Sequence, residues 1–425
     1  MRVLIVNTSE RTGGAAVAAN RLMEALNNNG VKAKMMVRDK DTDSLTVADV
    51  GGGLRSKWHF LWERWCIFCH LHFSREHLFE VDIANAGSDI TGLREFKEAD
   101  IIHLHWINQG MLSLNGIRKI LDSGKPVVWT MHDMWPATAI CHLTLGCRKF
   151  TEGCSHCPLM PRKSPFGDLA RKVWRRKMRI MRTHGRVIFV TCSRWLASDA
   201  KRSKLLEGNK IMSIPNPLDT RTFCPGDKEE ARRVLGLPQG RRLILAVAQR
   251  VSNVNKGMSY LIEACRTLAR LNPSLAGNLG VVMLGGSGEE VASSFDVPAY
   301  PLGYSTDVDK IVAAYRAADL FVTPSLSENL PNTIMEAMAC GIPCVGFNTG
   351  GIPEMIDHRK NGYVAAYKDA EDLARGISWA LSEADYDGLA RNAVRKVSTT
   401  YSQQSVALRY IEVYNQAIAF RHYKL

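Results

Sequence analysis

The stretch SENLPNTIMEAMACGIPCV, residues 327–345, directly follows the short apolar run DLFVTPS at 319–325. It places Glu328 eight residues before Glu336, and the segment between them is compatible with a helix. Eight helical residues span about 12 Å, so the two carboxylates cannot share one contact. They would bind different parts of one long ligand, and two solvated surface glutamates are the plainer alternative.

Similar apolar runs recur on both sides of this stretch, separated by segments with helical periodicity. They are RVLIVN (2–7), DIIHLHW (100–106), VVWTMH (127–132), VIFVTC (187–192) and KIMSI (210–214), followed by RLILAVA (242–248), LGVVML (279–284), DLFVTPS and PCVGF (343–347). Nearly continuous apolarity is typical of parallel strands covered on both faces. The sequence therefore predicts an α/β protein with two doubly wound, Rossmann-like domains.

A proline-rich segment, IPNPLDTRTFCPGD at 214–227, separates the two series of runs. Its prolines disfavour regular structure, which predicts a domain boundary there. We expect a first domain over 1–217, which carries a four-cysteine insertion, and a second over 218–400. Residues 401–425 are expected to form a C-terminal helix that packs back on the first domain.

Composition excludes whole classes of protein. The chain has 425 residues, which is room for two or three domains, and its 46% hydrophobic and 23% charged residues exclude a disordered or fibrous chain. The net charge of +13 favours anionic partners: nucleotides, nucleic acid or a lipid surface. No secretory signal pattern and no long apolar run is visible, and the eleven cysteines are an odd number. A cytoplasmic protein is expected.

Two basic residues lie just after the apolar run RLILAVA (242–248). Arg250 precedes Lys256 by six residues, between a strand end and a helix. Side chains at the carboxyl edge of a parallel sheet point at the crevice where ligands bind, and a guanidinium with an ammonium suits a diphosphate. Asn332 and Thr333 are candidate caps of the helix after Glu328, whose first N–H groups would face an anion. An exposed loop with two basic residues is the alternative.

Five segments taken in order resemble the nucleotide-binding domain of the family-four retaining glycosyltransferases, also called group 1. They are QRVSNVNKG (249–257), LGGSG (284–288), LGYSTDVDKIVAAYRAADLFVTPS (302–325), the 327–345 stretch and NTGGIPEMI (348–356). The resemblance covers about 210–420 strongly and the first half of the chain more loosely. It implies the GT-B fold, in which two Rossmann-like domains face a cleft.

The resemblance also implies a role for each matching residue of a donor site. Arg250 and Lys256 would clamp the diphosphate of a UDP- or GDP-linked sugar, and Glu328 would face the sugar. Glu336 would bond the ribose hydroxyls. The base would lie against Gly303 and Tyr304, and the remaining residues of the predicted site are Asn329, Leu330 and Asn332. The transfer itself would need no metal.

Two positions, Asn329 and Gln249, depart from the family pattern. Asn329 stands where the family more often has glycine after its first glutamate, and Pro331 has no N–H to donate. Gln249 replaces the glycine that commonly precedes the clamp arginine.

The first domain offers a glycine pair and several histidines. Gly13 and Gly14 follow the first strand, where a backbone can approach a sugar or phosphate closely, and the same order of strand, GG and helix occurs in the family. His132 ends the run VVWTMH, at a strand end where ligands bind. The family has a cleft histidine at a comparable position that contacts the donor sugar, so the resemblance implies that role for His132, with His105 as second choice. Asp133 would orient a ring, bind an acceptor hydroxyl or form a salt bridge.

Asp39, Asp41 and Asp43 form a D-x-D-x-D run that could suggest a metal site. The run lacks the glycine of a calcium loop and lies far in sequence from the nucleotide motifs, so a solvated turn is expected.

Four cysteines lie within a short stretch rich in turn residues, CHLTLGCRKFTEGCSHCP. In a reducing compartment, a tetrahedral site of four thiolates would account for them, and the sequence predicts a structural zinc beside His132. Its ligands would be Cys141, Cys147, Cys154 and Cys157.

The segment RKVWRRKMRIMR at 171–182 holds seven basic and no acidic residues. Such a helix could lie on an anionic membrane face or could simply be a solvated basic helix. A lipid-linked acceptor would favour the membrane interpretation.

Together with these observations, the resemblance implies a retaining hexosyltransferase that moves a sugar from a nucleotide-sugar donor to a saccharide or lipid-linked acceptor, in cell-surface polysaccharide synthesis. An epimerase or phosphorylase of the same architecture is the closer alternative. A zinc-stapled nucleic-acid-binding protein is disfavoured, because no base-stacking or groove-reading motif is visible, and no nucleic-acid partner is expected.

Overall fold

The computed structural model describes residues 1–51, 53–161, 165–183 and 187–422. The chain forms two compact units. Unit 1 comprises Met1–Pro215 together with Val406–Leu425, and unit 2 comprises Asn216–Ser405.

Unit 1 is built on a seven-stranded parallel sheet with helices between its strands. The strands are β1 Arg2–Val6, β2 Lys32–Val37, β3 Val47–Asp49, β4 Ile101–Leu104, β5 Val127–Met131, β6 Val187–Thr191 and β7 Lys210–Ser213. The helices are α1 Gly14–Asn28, α2 Gly53–His70, α3 Arg94–Glu98, α4 Leu114–Asp122, α5 Leu169–Thr183 and α6 Arg194–Lys201. The strand order is β3-β2-β1-β4-β5-β6-β7. Every residue of β4, β5 and β6 is buried, as expected for strands covered on both faces.

Unit 2 contains a six-stranded parallel sheet. Its strands are β8 Arg242–Arg250, β9 Leu279–Gly286, β10 Ala299–Gly303, β11 Leu320–Thr323, β12 Cys344–Phe347 and β13 Gly362–Ala365. Its helices are α7 Lys228–Val234, α8 Met258–Leu271, α9 Pro273–Gly277, α10 Gly288–Ala292, α11 Val308–Ala317, α12 Asn332–Ala339, α13 Ile352–Met355, α14 Ala370–Ser378 and α15 Tyr386–Thr400. The strand order is β10-β9-β8-β11-β12-β13. The two sheets confirm the α/β prediction with two Rossmann-like domains.

The last helix, α16 Gln403–His422, belongs largely to unit 1. Its apolar residues join the core formed by β1, β2 and α1. Two tyrosines add polar contacts: Tyr414 Oη lies 2.8 Å from His103 Nδ1, and Tyr410 Oη lies 2.9 Å from Thr130 Oγ1. Since His103 Nε2 lies 2.8 Å from the same Thr130 hydroxyl, the buried histidine has a partner on each ring nitrogen.

Candidate functional site

The loops that follow β8 and β11 meet through an ion pair in unit 2. These strands are neighbours in the sheet, so their carboxyl ends lie side by side. Lys256, in a 3-10 turn after β8, donates to Glu328 Oε1 with an Nζ–Oε1 distance of 2.5 Å. Arg250 is the exposed last residue of β8. The structure thus brings Lys256 and Glu328 together, with Arg250 at the same sheet edge.

Backbone contacts fix this pair of loops from one side. The Asn255 amide donates to the Ser327 carbonyl (2.9 Å), and Leu326 N–H donates to the Asn255 carbonyl (2.8 Å). Gly257 has a φ of +67°, and a Cβ there would lie 1.9 Å from the Pro324 carbonyl oxygen. Only glycine allows this close approach.

A second glycine fixes Glu328 from the other side. Gly350 has a φ of +56°, and a Cβ at that position would lie 1.7 Å from the Glu328 carbonyl oxygen. The next residue, Gly351, donates its N–H to the same oxygen at 3.2 Å. The role of these glycines was missed in the sequence, where the NTGG signal entered only as part of the family resemblance.

Glu336 lies on α12 and is 7% exposed. Its Oε2 accepts a hydrogen bond from the Tyr315 hydroxyl at 2.7 Å, a contact between α11 and α12 that the sequence did not reveal. This bond fixes the orientation of the carboxylate.

The start of α12 differs from the expectation. Pro331 precedes the helix in an extended conformation and no side chain caps it, so the predicted capping by Asn332 and Thr333 is wrong. Asn332 is the first helical residue, and its side-chain oxygen instead accepts from the Asn216 amide at 2.9 Å. A proline in the cap position cannot supply a side-chain acceptor, which leaves the first N–H groups of the helix without a side-chain cap.

The remaining donor-site residues lie on the same unit. Gly303 ends β10 with a φ of +70°, and Tyr304 directly after it exposes 56% of its surface. Leu330 is buried and Asn329 is half-buried in the loop before α12. An exposed aromatic ring at a strand end is suited to stacking against a base.

In unit 1, three histidines and a cysteine lie at the ends of β4, β5 and β6. His132 follows β5; its Nε2 lies 2.9 Å from His105 Nδ1 and its Nδ1 lies 3.5 Å from the Cys192 thiol. Burial lowers the pKa of His132 to about 4 and that of His103 to about 3, and it lowers the pKa of His105 strongly. His105 Nε2 is buried without a hydrogen-bond partner among the described residues. The three rings are therefore neutral near pH 7.

Asp133 forms the salt bridge that was one of its three alternatives. Its carboxylate accepts from Trp106 Nε1 (2.8 Å) and lies 2.7 Å from His142 Nδ1, while His142 Nε2 lies 2.5 Å from Asp82. Burial alone would lower the pKa of His142, but the Asp133 and Asp82 carboxylates raise it to about 10. A charged imidazolium therefore lies between two carboxylates. The sequence did not reveal this arrangement, because it shows only that His142 follows Cys141.

Gly13 and Gly14 lie at the exposed start of α1. Gly13 has a φ of +92°, and a Cβ at either glycine would meet no other atom within 4 Å. This leaves the backbone at the helix N-terminus open to approach by a ligand.

The acidic run after β2 forms an exposed turn. Glu10 accepts from the backbone N–H groups of Asp41 (2.7 Å) and Thr42 (2.9 Å), while Asp39 and Asp43 are exposed. This matches the solvated turn that the sequence predicted.

The structure does not support the predicted zinc site. Over the described ranges, no group of three or more His, Cys, Asp or Glu side chains is placed to hold a metal ion. Cys141 instead shares a hydrogen bond with Cys157, which raises the pKa of the Cys141 thiol and lowers that of Cys157. Burial raises the pKa of Cys154 to about 12, and Cys147 is half-buried. Cys141, Cys154 and Cys157 pack against the core of unit 1.

Helix α5 turns its apolar residues inward. Val173, Trp174 and Met181 are buried in the core of unit 1, so they are not available to a lipid surface. Lys177 is buried as well and donates to the Trp135 carbonyl (2.6 Å), and burial lowers the pKa of its ammonium to about 7. The other described cations of the segment remain exposed; they are Arg171, Lys172, Arg175, Arg176 and Arg179.

Two family models match the chain. Residues 12–222 match the model described as Glycosyltransferase Family 4, and residues 227–397 match the model described as Glycosyl transferases group 1. Together they extend over most of the chain. The chain belongs to the group 1 glycosyltransferase family.

Relatives of this glycosyltransferase match over different lengths. A D-inositol 3-phosphate glycosyltransferase of Saccharomonospora viridis is 28% identical over 221 residues, which is 49% of this chain and 51% of that protein. The match therefore spans about half the length of such curated relatives. An uncharacterized glycosyltransferase of Methanocaldococcus jannaschii is 26% identical over 80% of this chain and 90% of its own length.

The fold matches solved GT-B structures. Anabaena HepE in complex with UDP superposes with a TM-score of 0.63 at 15% identity, covering 98% of this chain and 100% of that one. In the part of this glycosyltransferase that the structure describes, every helix is too short or too polar to cross a lipid bilayer.

The His142 ion network yields a stability prediction. His142→Gln should lower the free energy of unfolding by about 3–5 kcal/mol at pH 7, because it leaves the Asp133 carboxylate buried without its cation and leaves Asp82 with Arg64 alone. The folded pKa of about 10 exceeds the unfolded value of about 6.5, so this stabilisation is complete below pH 6.5 and disappears as the pH rises through 10. Urea denaturation of both proteins between pH 7 and pH 10.5 should show the difference narrowing.

His156→Gln is the matched control, since that ring is exposed. A pH-independent loss in the His142 variant, or an equal loss in the control, would contradict the assignment of a charged, buried imidazolium.

Proposed function

We propose that this chain is a retaining glycosyltransferase that moves a hexosyl group from a nucleoside-diphosphate sugar to the hydroxyl of a saccharide or lipid-linked acceptor. The observation that carries the proposal is the Lys256–Glu328 ion pair, with Arg250 at the same strand edge. Two cations are suited to bind a diphosphate, and the Glu328 carboxylate beside Lys256 is suited to accept hydrogen bonds from sugar hydroxyls. The complex of HepE with UDP-glucose, which has a TM-score of 0.61, supports a UDP-linked sugar as donor, with a GDP-linked sugar as the alternative.

Donor binding would exchange partners within the ion pair. The diphosphate oxygens would accept hydrogen bonds from the Lys256 ammonium and pair with the Arg250 guanidinium. Glu328 would then accept hydrogen bonds from the sugar hydroxyls. As the bond from the sugar to the phosphate breaks, negative charge grows on the departing diphosphate. Both cations would offset that charge, and the loop that carries Lys256 is held in place before the reaction starts by the contacts described above.

Glu336 and Tyr304 would bind the nucleoside part of the donor. Glu336 is held by Tyr315 and suits the two ribose hydroxyls as hydrogen-bond acceptor. The exposed Tyr304 ring beside Gly303 would stack on the base. Asn329, Leu330 and Asn332, with the N-terminus of α12, would line the path of the sugar and phosphate.

The first unit would contribute His132 and the glycine pair. His132 is neutral near pH 7, so its ring can donate or accept a hydrogen bond at a sugar hydroxyl without adding charge. His105, 2.9 Å away, positions the ring. Gly13 and Gly14 would let the backbone approach the donor sugar or phosphate.

Retention of configuration follows from attack on the face that the diphosphate leaves. The acceptor oxygen forms the new bond to the anomeric carbon while the bond from that carbon to the phosphate oxygen breaks. The same phosphate oxygen accepts the proton of the acceptor hydroxyl, so no covalent sugar–enzyme intermediate is required. We place this reaction in the cytoplasm, in the synthesis of a cell-surface polysaccharide.

An anomeric assay tests the reaction class. The chain, UDP-glucose and a panel of saccharide acceptors should give an α-linked product by NMR, since the glucose of the donor is α-linked. Product should form only when acceptor is present. A β-linked product would contradict retention, and consumption of donor at the same rate without acceptor would favour an epimerase or hydrolytic activity.

The two glutamates should affect different ligands. Glu336→Gln should weaken binding of UDP by about tenfold, because a charge-assisted bond to the ribose becomes a neutral one. Glu328→Gln should leave UDP binding nearly unchanged and weaken the additional affinity for UDP-glucose. Isothermal titration calorimetry with both ligands measures the split.

Glu371→Gln, at an exposed site on α14, is the control for a lost carboxylate. Equal effects of both site variants on both ligands would reject this division of roles.

A further inference from the structure

Helix α2 buries two charged residues and exposes its three tryptophans. Its buried side carries Glu63, which is fully buried, and Arg64. Glu63 accepts from the backbone N–H groups of Ile83 (2.9 Å) and Ala84 (2.6 Å). Arg64 pairs with the buried Asp82. These contacts fix the rotation of the helix, so its outward face is a defined feature of the fold.

The outward face is a stripe of large apolar side chains. Its residues follow helical spacing at i, i+4, i+7, i+8 and i+11, which gives a stripe about 16 Å long. Their exposed fractions are 80% for Leu54, 67% for Trp58, 55% for Leu61, 52% for Trp62 and 53% for Trp65.

The aromatic surface continues past the end of α2. The Trp65 ring centroid lies 6.4 Å from that of Phe73, which is 64% exposed, and Phe68 contacts both rings. We call the stripe together with these two phenylalanines the α2 aromatic surface. A contiguous exposed apolar surface of this kind marks an interaction site in a water-soluble domain.

The exposed charges of α2 itself have one sign. Arg55 and Lys57 are exposed and flank the stripe, and Arg75 is exposed just beyond Phe73. Glu63 is the only acidic residue between 53 and 75, and it is buried. From residue 53 to residue 75 the solvent-facing side chains therefore include cations and no carboxylate, and the exposed Glu76 follows directly after Arg75.

More cations follow where α5 begins. The His70 ring at the end of α2 lies 5.2 Å from the ring of Phe166, which is exposed. Lys172 of α5 donates to the Phe166 carbonyl at 2.6 Å. The exposed basic face of α5 thus starts next to the end of α2.

We propose that the α2 aromatic surface docks this chain on an anionic lipid bilayer. Indole rings favour the boundary between headgroups and acyl chains, and flanking cations are attracted to anionic headgroups. A protein partner or a second copy of the chain could also cover an apolar stripe. The bilayer is favoured because three tryptophans share one helical face with cations and no acid. The proposal deepens the proposed function by requiring a membrane-presented acceptor, but its test uses neither donor nor acceptor.

Vesicle flotation with the full chain tests the proposal. Wild-type protein should bind vesicles of phosphatidylcholine with about 30 mol % phosphatidylglycerol, bind phosphatidylcholine alone more weakly, and lose affinity as salt rises. Trp58→Ser/Trp62→Ser should reduce the partition coefficient about tenfold or more on both vesicle types, because insertion of two indoles is lost. Arg55→Glu/Lys57→Glu should reduce binding only to the anionic vesicles.

Leu45→Ser and Leu408→Ser are matched controls, since both replace exposed apolar side chains outside this surface. Circular dichroism confirms that each variant is folded. Lipids with brominated acyl chains should quench the fluorescence of the wild-type protein more than that of Trp58→Phe/Trp62→Phe.

Three results would overturn the proposal. The first is an absence of binding to either vesicle. The second is unchanged binding by the double tryptophan variant. The third is a dimer in size-exclusion chromatography that dissociates in this variant while lipid binding is absent, which would assign the surface to a second copy of the chain. Each of these outcomes is independent of whether the chain transfers sugar.

Discussion

The Lys256–Glu328 ion pair is the interaction on which the rest of the candidate donor site depends. It joins loops after two neighbouring parallel strands, at the edge where such sheets bind ligands. Gly257 and Gly350 make it possible, because each allows a carbonyl oxygen to approach where a Cβ would collide. The two loops that carry this cation and this carboxylate are therefore held at fixed positions before any donor arrives. This preorganisation is what a charge-separating transfer reaction needs.

A second network performs a similar task in unit 1. Arg64 pairs with Asp82, Asp82 contacts His142, and His142 contacts Asp133 beside His132. The chain of contacts therefore runs from the buried side of α2 to the residue next to the candidate catalytic histidine. If α2 docks on a bilayer as proposed, the same buried charges that fix its aromatic surface also fix the strand end where His132 lies. Membrane docking by α2 and the positioning of His132 would then depend on the same buried network of charges.

The strand pattern predicted the fold, because parallel strands covered on both faces have a distinctive, nearly continuous apolarity. The motif from 327 to 345 predicted the donor site, because parallel strands place their carboxyl ends at the same edge of the sheet. Periodicity could not show which face of a helix is buried. It suggested lipid contact for α5, whose apolar residues are core, and gave no hint that α2 buries Glu63 and exposes Trp58. Contacts between distant segments, such as Tyr315 with Glu336, were also invisible. The structure does not support the predicted zinc site, since the spacing of cysteines along a loop does not by itself determine the geometry of a ligand set.

A crystal structure of the chain with UDP tests the central claim most directly. In that structure the diphosphate should lie within hydrogen-bonding distance of the Arg250 guanidinium and the Lys256 ammonium. Glu336 should contact the ribose, and Lys256 should have moved away from Glu328. A diphosphate bound elsewhere, for instance only at the N-terminus of α1 beside Gly13, with the Lys256–Glu328 pair unchanged, would contradict the account.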